Sequence, residues 1–305
     1  MCRDAESLGL ARTVLGILRF EWRLRPVNCG MGGMDASQPM FSDTIPADYD
    51  RYLGPFLFEY YARDLAQRLG LSAGNRVLET ACGTGIATEH LRQSTEADLE
   101  IVATDLSEPM LQHARGRRGH LKGVRFEHAD AAALLFGDSS FDALAQQFGL
   151  MFMGNKLASL REANRVLRPG GRIVFSVWDD LASNPFVQVA QDTIVTFFWE
   201  DPPQFLYLPW SCHSHGALRK LMAEASFEHV ELHTLPHVSK GQSAHAVASG
   251  LVCGNPTIND VRQRASASVE DVVAAVAAAL SKAFGADQLR VPMRAIVVTA
   301  MKSLS

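Results

Sequence analysis

The stretch from Arg76 to Glu89, RVLETACGTGIATE, constrains the folding of this chain more than any other. Val77 and Leu78 read as a strand entered from the Gly74-Asn75 turn, Ile86 to Leu91 reads as a helix, and Ala81-Cys82-Gly83-Thr84-Gly85 is the loop between them. Gly83 and Gly85 lack Cβ atoms, so backbone N–H groups can approach a ligand closely, and the helix N-terminus adds partial positive charge there. Spacing alone also accommodates a plain strand-to-helix turn that holds nothing.

The flanking text extends the pattern. Pro46 to Asp50 opens a helix, along which Tyr49, Tyr52, Leu53, Phe56, Leu57, Tyr60 and Tyr61 recur at helical spacing to Leu69, with Gly70 as its stop. After the glycine loop, Leu99 to Thr104 is a strand ending at Asp105, and Ser107-Glu108-Pro109 opens a helix through Arg117. Strands Val124–His128, Phe141–Gln146 and Arg172–Val177 follow, with a helix from Leu157 to Leu167 and a turn at Arg168-Pro169-Gly170-Gly171. This alternation predicts an α/β fold with a right-handed, mostly parallel, doubly wound sheet. Asp105 falls 20 positions beyond Gly85, the distance at which a βαβ unit puts a carboxylate at the tip of the neighbouring strand, in reach of both hydroxyls of a ribose. Later, Ala217 to Ala225 reads as a helix and Phe227 to Thr234 as a strand. Ser268 with Asp271 caps an alanine-rich helix through Phe284, and Ala295 to Ala300 is a final strand.

Bulk properties narrow the partners. With 29 basic and 33 acidic residues, net −4, the chain offers no broad electrostatic footprint for nucleic acid. The longest uncharged apolar run, Val272 to Leu280, is too short to span a bilayer, so no transmembrane helix is expected. Cys2, Cys29, Cys82, Cys212 and Cys253 are scattered and form no CxxC pair, which fits a reducing cytoplasm better than a disulfide framework or a zinc site.

Two ligand classes use this architecture, dinucleotides and S-adenosylmethionine. A dinucleotide fingerprint wants a third glycine where this chain has Thr88. By contrast Glu79-Thr80-Ala81-Cys82-Gly83-Thr84-Gly85, then Asp105, Asp130-Ala131 and the RVLRPGG turn at 165–171 resemble, in order, the class I S-adenosylmethionine-dependent methyltransferases. The helix ADYDRYLGPFLFEYYARDLA is similar to that of the small-molecule branch typified by ubiquinone and menaquinone methyltransferases. Ala81 departs from the glycine that opens the family's loop. The resemblance covers residues 45–180 well and the remainder loosely. It implies a Rossmann-like seven-stranded mixed sheet whose last strand is antiparallel, with a helical lid. Residues 1–40 are then an extension whose composition is compatible with disorder, and 41–305 the methyltransferase domain, with a substrate-lid insert at about 180–225 and a C-terminal insertion at about 236–290.

Carried over position by position, the resemblance implies that Ala81, Gly83, Thr84 and Gly85 hold the methionine and ribose portion of S-adenosylmethionine, with Glu79 near its amino end and Gln147 on the other side. Asp105 takes the ribose diol, Leu106 packs on the adenine, and Asp130 with the Ala131 N–H reads the adenine edge. The same residues hold the product S-adenosylhomocysteine. The expected activity is in-line methyl transfer to a small-molecule acceptor, which needs alignment more than a reactive side chain. The residues themselves assign no catalytic group. His213 and His215, ahead of His233 and His237, are candidate bases should the acceptor lose a proton, and the Cys212-His213-Ser214-His215 run lacks the second cluster that a metal would need. Tyr49, Tyr52, Phe148, Trp199 and Trp210 are candidates for an acceptor pocket. The competing readings are an NAD-dependent oxidoreductase and a non-catalytic S-adenosylmethionine-binding protein.

Overall fold

In the computed structural model the described residues are Phe41, 44–286 and 288–304. The expectation for residues 1–40, an extension whose composition is compatible with disorder, concerns residues outside them.

Seven strands alternate with helices. In chain order the strands are β1 (Arg76–Thr80), β2 (Glu100–Asp105), β3 (Val124–His128), β4 (Phe141–Gln147), β5 (Leu167–Trp178), β6 (Phe227–Lys240) and β7 (Arg290–Lys302). The helices are α1 (Ile45–Asp48), α2 (Glu59–Leu69), α3 (Ile86–Gln93), α4 (Glu108–Arg118), α5 (Lys156–Val166), α6 (Pro185–Ile194), α7 (His215–Glu224), α8 (Ala244–Cys253), α9 (Thr257–Arg264) and α10 (Val269–Phe284). The sheet order is β3-β2-β1-β4-β5-β7-β6, in which β7 alone runs antiparallel to its neighbours. This is the doubly wound mixed sheet that the sequence predicts. Strand order reverses between β1 and β4, so a crevice opens outside their carboxyl ends, the usual ligand site of such sheets.

Central strands are buried on both faces. On one face Leu65, Ala66 and Leu69 of α2 lie on Val77, Ala143, Ala145 and Val174, and further along the same face Leu111 and Ala114 of α4 lie on Ala103 and Phe126; on the other, Leu78, Val102 and Leu144 join Leu160 and Ala163 of α5. Each fully buried leucine contributes about 1.5–3 kcal/mol from removal of apolar surface from water. Gly70 ends α2 in the left-handed conformation at φ 59°, which costs a residue without Cβ little.

Two expectations are corrected by the fold. The helical run from Ile45 to Leu69 is not one regular helix, because Tyr49–Phe58 is π-helical. Pro55 lies inside that segment, has no N–H to donate and would press on the preceding turn of a tighter helix, so a wider turn relieves it. The last two strands also run further than their apolar cores suggest. Leu235 and Trp178 flank Ala295, and the β6–β7 ladder continues for five more pairs to Lys240 and Arg290, an arm about 16 Å long beyond the carboxyl edge. The arm folds back on the N-terminal helices, where the His237 ring stacks on Tyr60 at 3.7 Å.

Residues 181–224 hold α6, three 3-10 segments and α7, while α8, α9 and α10 occupy Ala244–Phe284 between β6 and β7. Among the described residues no helix is long and apolar enough to cross a membrane.

Candidate active site

The glycine loop leaves β1 through a left-handed backbone. Ala81, Gly83 and Gly85 take φ of 53°, 55° and 87°. At Ala81 this is strained, since a Cβ disfavours that region. Gly149 makes room for it: a Cβ at 149 would stand 2.6 Å from that of Ala81. Gly85 begins α3, and a Cβ on it would meet Arg118 Cδ at 3.0 Å and the Phe126 ring at 3.2 Å.

Asp105, at the tip of β2, ties the loop to the sheet. Its Oδ2 accepts the Gly83 N–H at 2.7 Å and its Oδ1 accepts the Ser107 N–H at 2.8 Å. Each carboxylate oxygen keeps a further lone pair. Burial raises the Asp105 pKa, and the backbone donors of Ser107, Gly83 and Leu106 counter it in part. Beside it Leu106 is 63% exposed, an apolar face open to a flat ligand. Asp105 is in register with His128, which places Asp130 just past the end of the adjoining strand. Asp130 is exposed, and its Oδ1 accepts the Ala132 N–H at 2.8 Å.

Glu79 is 1% exposed at the root of the loop. The Thr88 hydroxyl donates to its Oε2 at 2.6 Å, while burial pushes its pKa up to about 8. Glu79 also lines a cavity of about 30 Å³, shared with Tyr49, Phe58, Gly83, Ile86 and Gln147. Gln147 is fixed by donating from Nε2 to the Phe58 carbonyl at 2.9 Å, and Gln146 Nε2 donates to Thr80 Oγ1 at 2.9 Å. Cys82 lies in the same wall, with its thiol pushed well up by burial and by Asp105 and Glu79, so it stays protonated.

An aromatic layer leads away from this cavity. Tyr49 stacks on Phe58 at 4.8 Å, Phe58 lies 5.9 Å from Phe148, Phe148 stacks on Trp178 at 4.0 Å, and Trp178 on Trp210 at 5.6 Å. Burial raises the Tyr49 phenol pKa and keeps it neutral. Three of the five aromatic candidates, Tyr49, Phe148 and Trp210, therefore belong to one layer. Tyr52 instead lies against Gly250 of α8 with the Arg51 guanidinium over its ring, and Trp199 is 91% exposed, so neither joins it. His213 and His215 are exposed; the His213 Nδ1 contacts the Trp210 carbonyl at 2.9 Å, and His215 begins α7. His233 pairs with Glu231 on β6, away from the loop.

Sequence reasoning missed a second set of residues over the loop. Asp50, in the π-helical segment, accepts from Thr84 Oγ1 at 3.0 Å and from Arg118 Nη1 at 2.9 Å. Arg118 also donates to the Thr84 carbonyl at 3.0 Å and to Glu89 Oε2 at 3.0 Å. Only an arginine-rich stretch at the end of α4 hints at this in the sequence.

The donor set fits S-adenosylmethionine. Glu79 is a buried acid lining a cavity whose wall contains neither Lys nor Arg, which leaves it to a ligand's own ammonium group, and Asp105 has lone pairs for a diol. The reversed seventh strand together with this cradle defines a methyltransferase-type α/β fold. Residues 77–171 match the methyltransferase domain family model. The ubiquinone/menaquinone biosynthesis C-methyltransferase of Ectopseudomonas mendocina is 31% identical over 209 residues, covering 63% of this chain and 81% of that protein. The demethylmenaquinone methyltransferase of Staphylococcus haemolyticus is 34% identical over 133 residues, 43% of this chain and 56% of that one. In fold the chain is similar to the Haemonchus contortus phosphoethanolamine N-methyltransferase 2 solved with S-adenosyl-L-methionine, with a TM-score of 0.56 at 16% identity over 87% of this chain and 58% of that one. This chain belongs to the class I S-adenosylmethionine-dependent methyltransferases. Its sequence relatives are of the ubiquinone/menaquinone type, and they favour methyl transfer over both the NAD-dependent and the non-catalytic alternatives.

Proposed function

We propose that this chain methylates a small, planar, largely uncharged acceptor, with a quinol-like aromatic ring as the first class to try, in the cytoplasm. The carrying observation is the stacked pair Tyr49 and Phe58, whose residues line the Glu79 cavity, with Phe148, Trp178 and Trp210 buried in the core behind them. Flat rings offer large contact area and favour stacked or edge-on partners. The names of the sequence relatives point the same way.

In this reading Glu79 takes the methionine ammonium, and Asp105 the ribose hydroxyls. Leu106, with Asp130 and the Ala131 N–H, holds the adenine, and Gly83 lets the loop approach closely. Gln147 lines the methionine end. S-adenosylmethionine supplies an electrophilic methyl group on a sulfonium. The chain's own contribution is to align that methyl with the acceptor and to exclude water, and alignment of this kind is worth several kcal/mol of barrier, up to about 7–11. His213 and His215 stand outside the aromatic layer, so the transfer is read here as using no histidine base.

The test is incubation with methyl-labelled S-adenosylmethionine and, in parallel, demethylated quinols, simple phenols, primary amines and total extract. Label in the ring compounds supports the reading. Label confined to amines or to macromolecules overturns it.

A further inference from the structure

We propose that Asp50 is a positioning residue for the cofactor: its carboxylate fastens the N-terminal helical run to the glycine loop and so holds the Tyr49 ring over the methionine end of the site. The inference rests on the reading of loop 81–85 as the cofactor cradle.

Three distant segments meet on one guanidinium. Arg118 Nη1 is shared between Asp50 Oδ1, 68 positions away, and the Thr84 carbonyl, 34 positions away, while Arg118 Nε holds Glu89. Thr84 returns a contact of its own by donating from its hydroxyl to the same Asp50 oxygen. The Asp50 and Arg118 side chains are 9% and 11% exposed, and His113 Nε2 and Arg117 Nε stand 3.4 and 3.7 Å from Asp50 Oδ2. Burying a carboxylate is costly unless it is paired and hydrogen-bonded, so this arrangement ties the helix to the loop at a defined register. The Arg118 stem lies against Gly85, its Cδ 3.0 Å from where a Cβ would stand. A second tie crosses nearby, where Ser107 Oγ donates to the Phe41 carbonyl at 3.3 Å.

Tyr49 is the residue immediately before Asp50, and its ring forms part of the cavity wall. At about 30 Å³ that cavity has room for about two water molecules. Any ligand tail that enters it meets Tyr49, and the Asp50 clamp sets how far that residue stands from the loop.

The experiment uses the full chain with S-adenosylhomocysteine as probe. Asp50→Ala, Arg118→Met and the double variant are compared by calorimetry, and hydrogen exchange of residues 44–58 is followed with the probe saturating. Each single variant is expected to weaken binding about tenfold and to speed exchange in 44–58, and the double variant to be no worse than the weaker single one, since both changes break one clamp. Asp50→Asn, which keeps an acceptor oxygen without the charge, should fall between. Unchanged affinity and exchange with only a lower urea midpoint would show a purely structural tie and overturn the proposal, as would additive losses in the double variant. Wild-type chain that fails to bind the probe overturns the cofactor reading and this proposal together; wild-type binding with unaffected variants overturns this proposal alone.

Discussion

The Thr88 hydroxyl and the Glu79 carboxylate meet at 2.6 Å beneath the glycine loop, at the position where a dinucleotide fold would need a glycine. The hydroxyl thus has two effects. It occupies the space that close approach of a pyrophosphate would require, and it orients a buried acid towards a cavity that lacks a cation. A ligand bringing its own ammonium group answers that charge.

The first consequence is a pH dependence of binding. Glu79 has its pKa raised to about 8, so near neutrality the unliganded protein carries the protonated acid, whereas the ammonium group selects the carboxylate. Affinity for S-adenosylhomocysteine should therefore rise with pH from about 6 to 8, by at most about tenfold per unit, with release of up to one proton. Calorimetry in buffers of different ionisation enthalpy measures that proton. In Glu79→Gln the slope should vanish and affinity should be low throughout. The same raised value makes the unliganded fold lose stability as pH rises from the ordinary carboxylate range to about 8, because there the native state binds the extra proton.

Thr88→Val keeps the shape and removes the donor. Loss of one hydrogen bond to a buried charged group costs about 1.5–3 kcal/mol. The expected result is a Glu79 titration moved further up and binding at pH 7 weakened about fivefold or more, read from the same calorimetric series. An unchanged pH profile would show that Thr88 does not act through Glu79.

Ala81 and Gly149 form a coupled pair. Gly149→Ala puts two Cβ atoms 2.6 Å apart and should destabilise by about 1–3 kcal/mol in urea unfolding. Ala81→Gly removes one of them and relieves a left-handed backbone, so the double variant should recover about 1 kcal/mol relative to Gly149→Ala alone. Strict additivity would contradict the contact.

The sheet was readable through Val177 because its strands are buried on both faces and appear as apolar runs punctuated by glycine and asparagine turns. The β6–β7 arm was not, since Pro236-His237-Val238-Ser239-Lys240 offers one apolar strand-former among polar residues, and Pro236 and Pro292 argue against strands. Both prolines are tolerated because β6 is an edge strand and β7 has lost its β5 partner beyond Ala295. Of the acidic residues beside the loop, Asp105 was expected from its distance of 20 positions to Gly85, and Glu79 from the family resemblance. Asp50 and Arg118 were not, because a contact between side chains 68 positions apart leaves no local pattern. Tyr52 and Trp199 looked like pocket residues because an aromatic's composition says nothing about its direction.

The most direct test of the cofactor site is calorimetric titration of wild type and Asp105→Ala with S-adenosylhomocysteine at pH 8. Asp105 accepts from Gly83 and Ser107 and is assigned the ribose diol, so its removal should abolish most of the affinity, by about 100-fold or more, two lost bonds to a charged group being worth about 3–6 kcal/mol. Tight binding retained by Asp105→Ala would contradict the assignment of this loop and strand tip as the place where the cofactor is held.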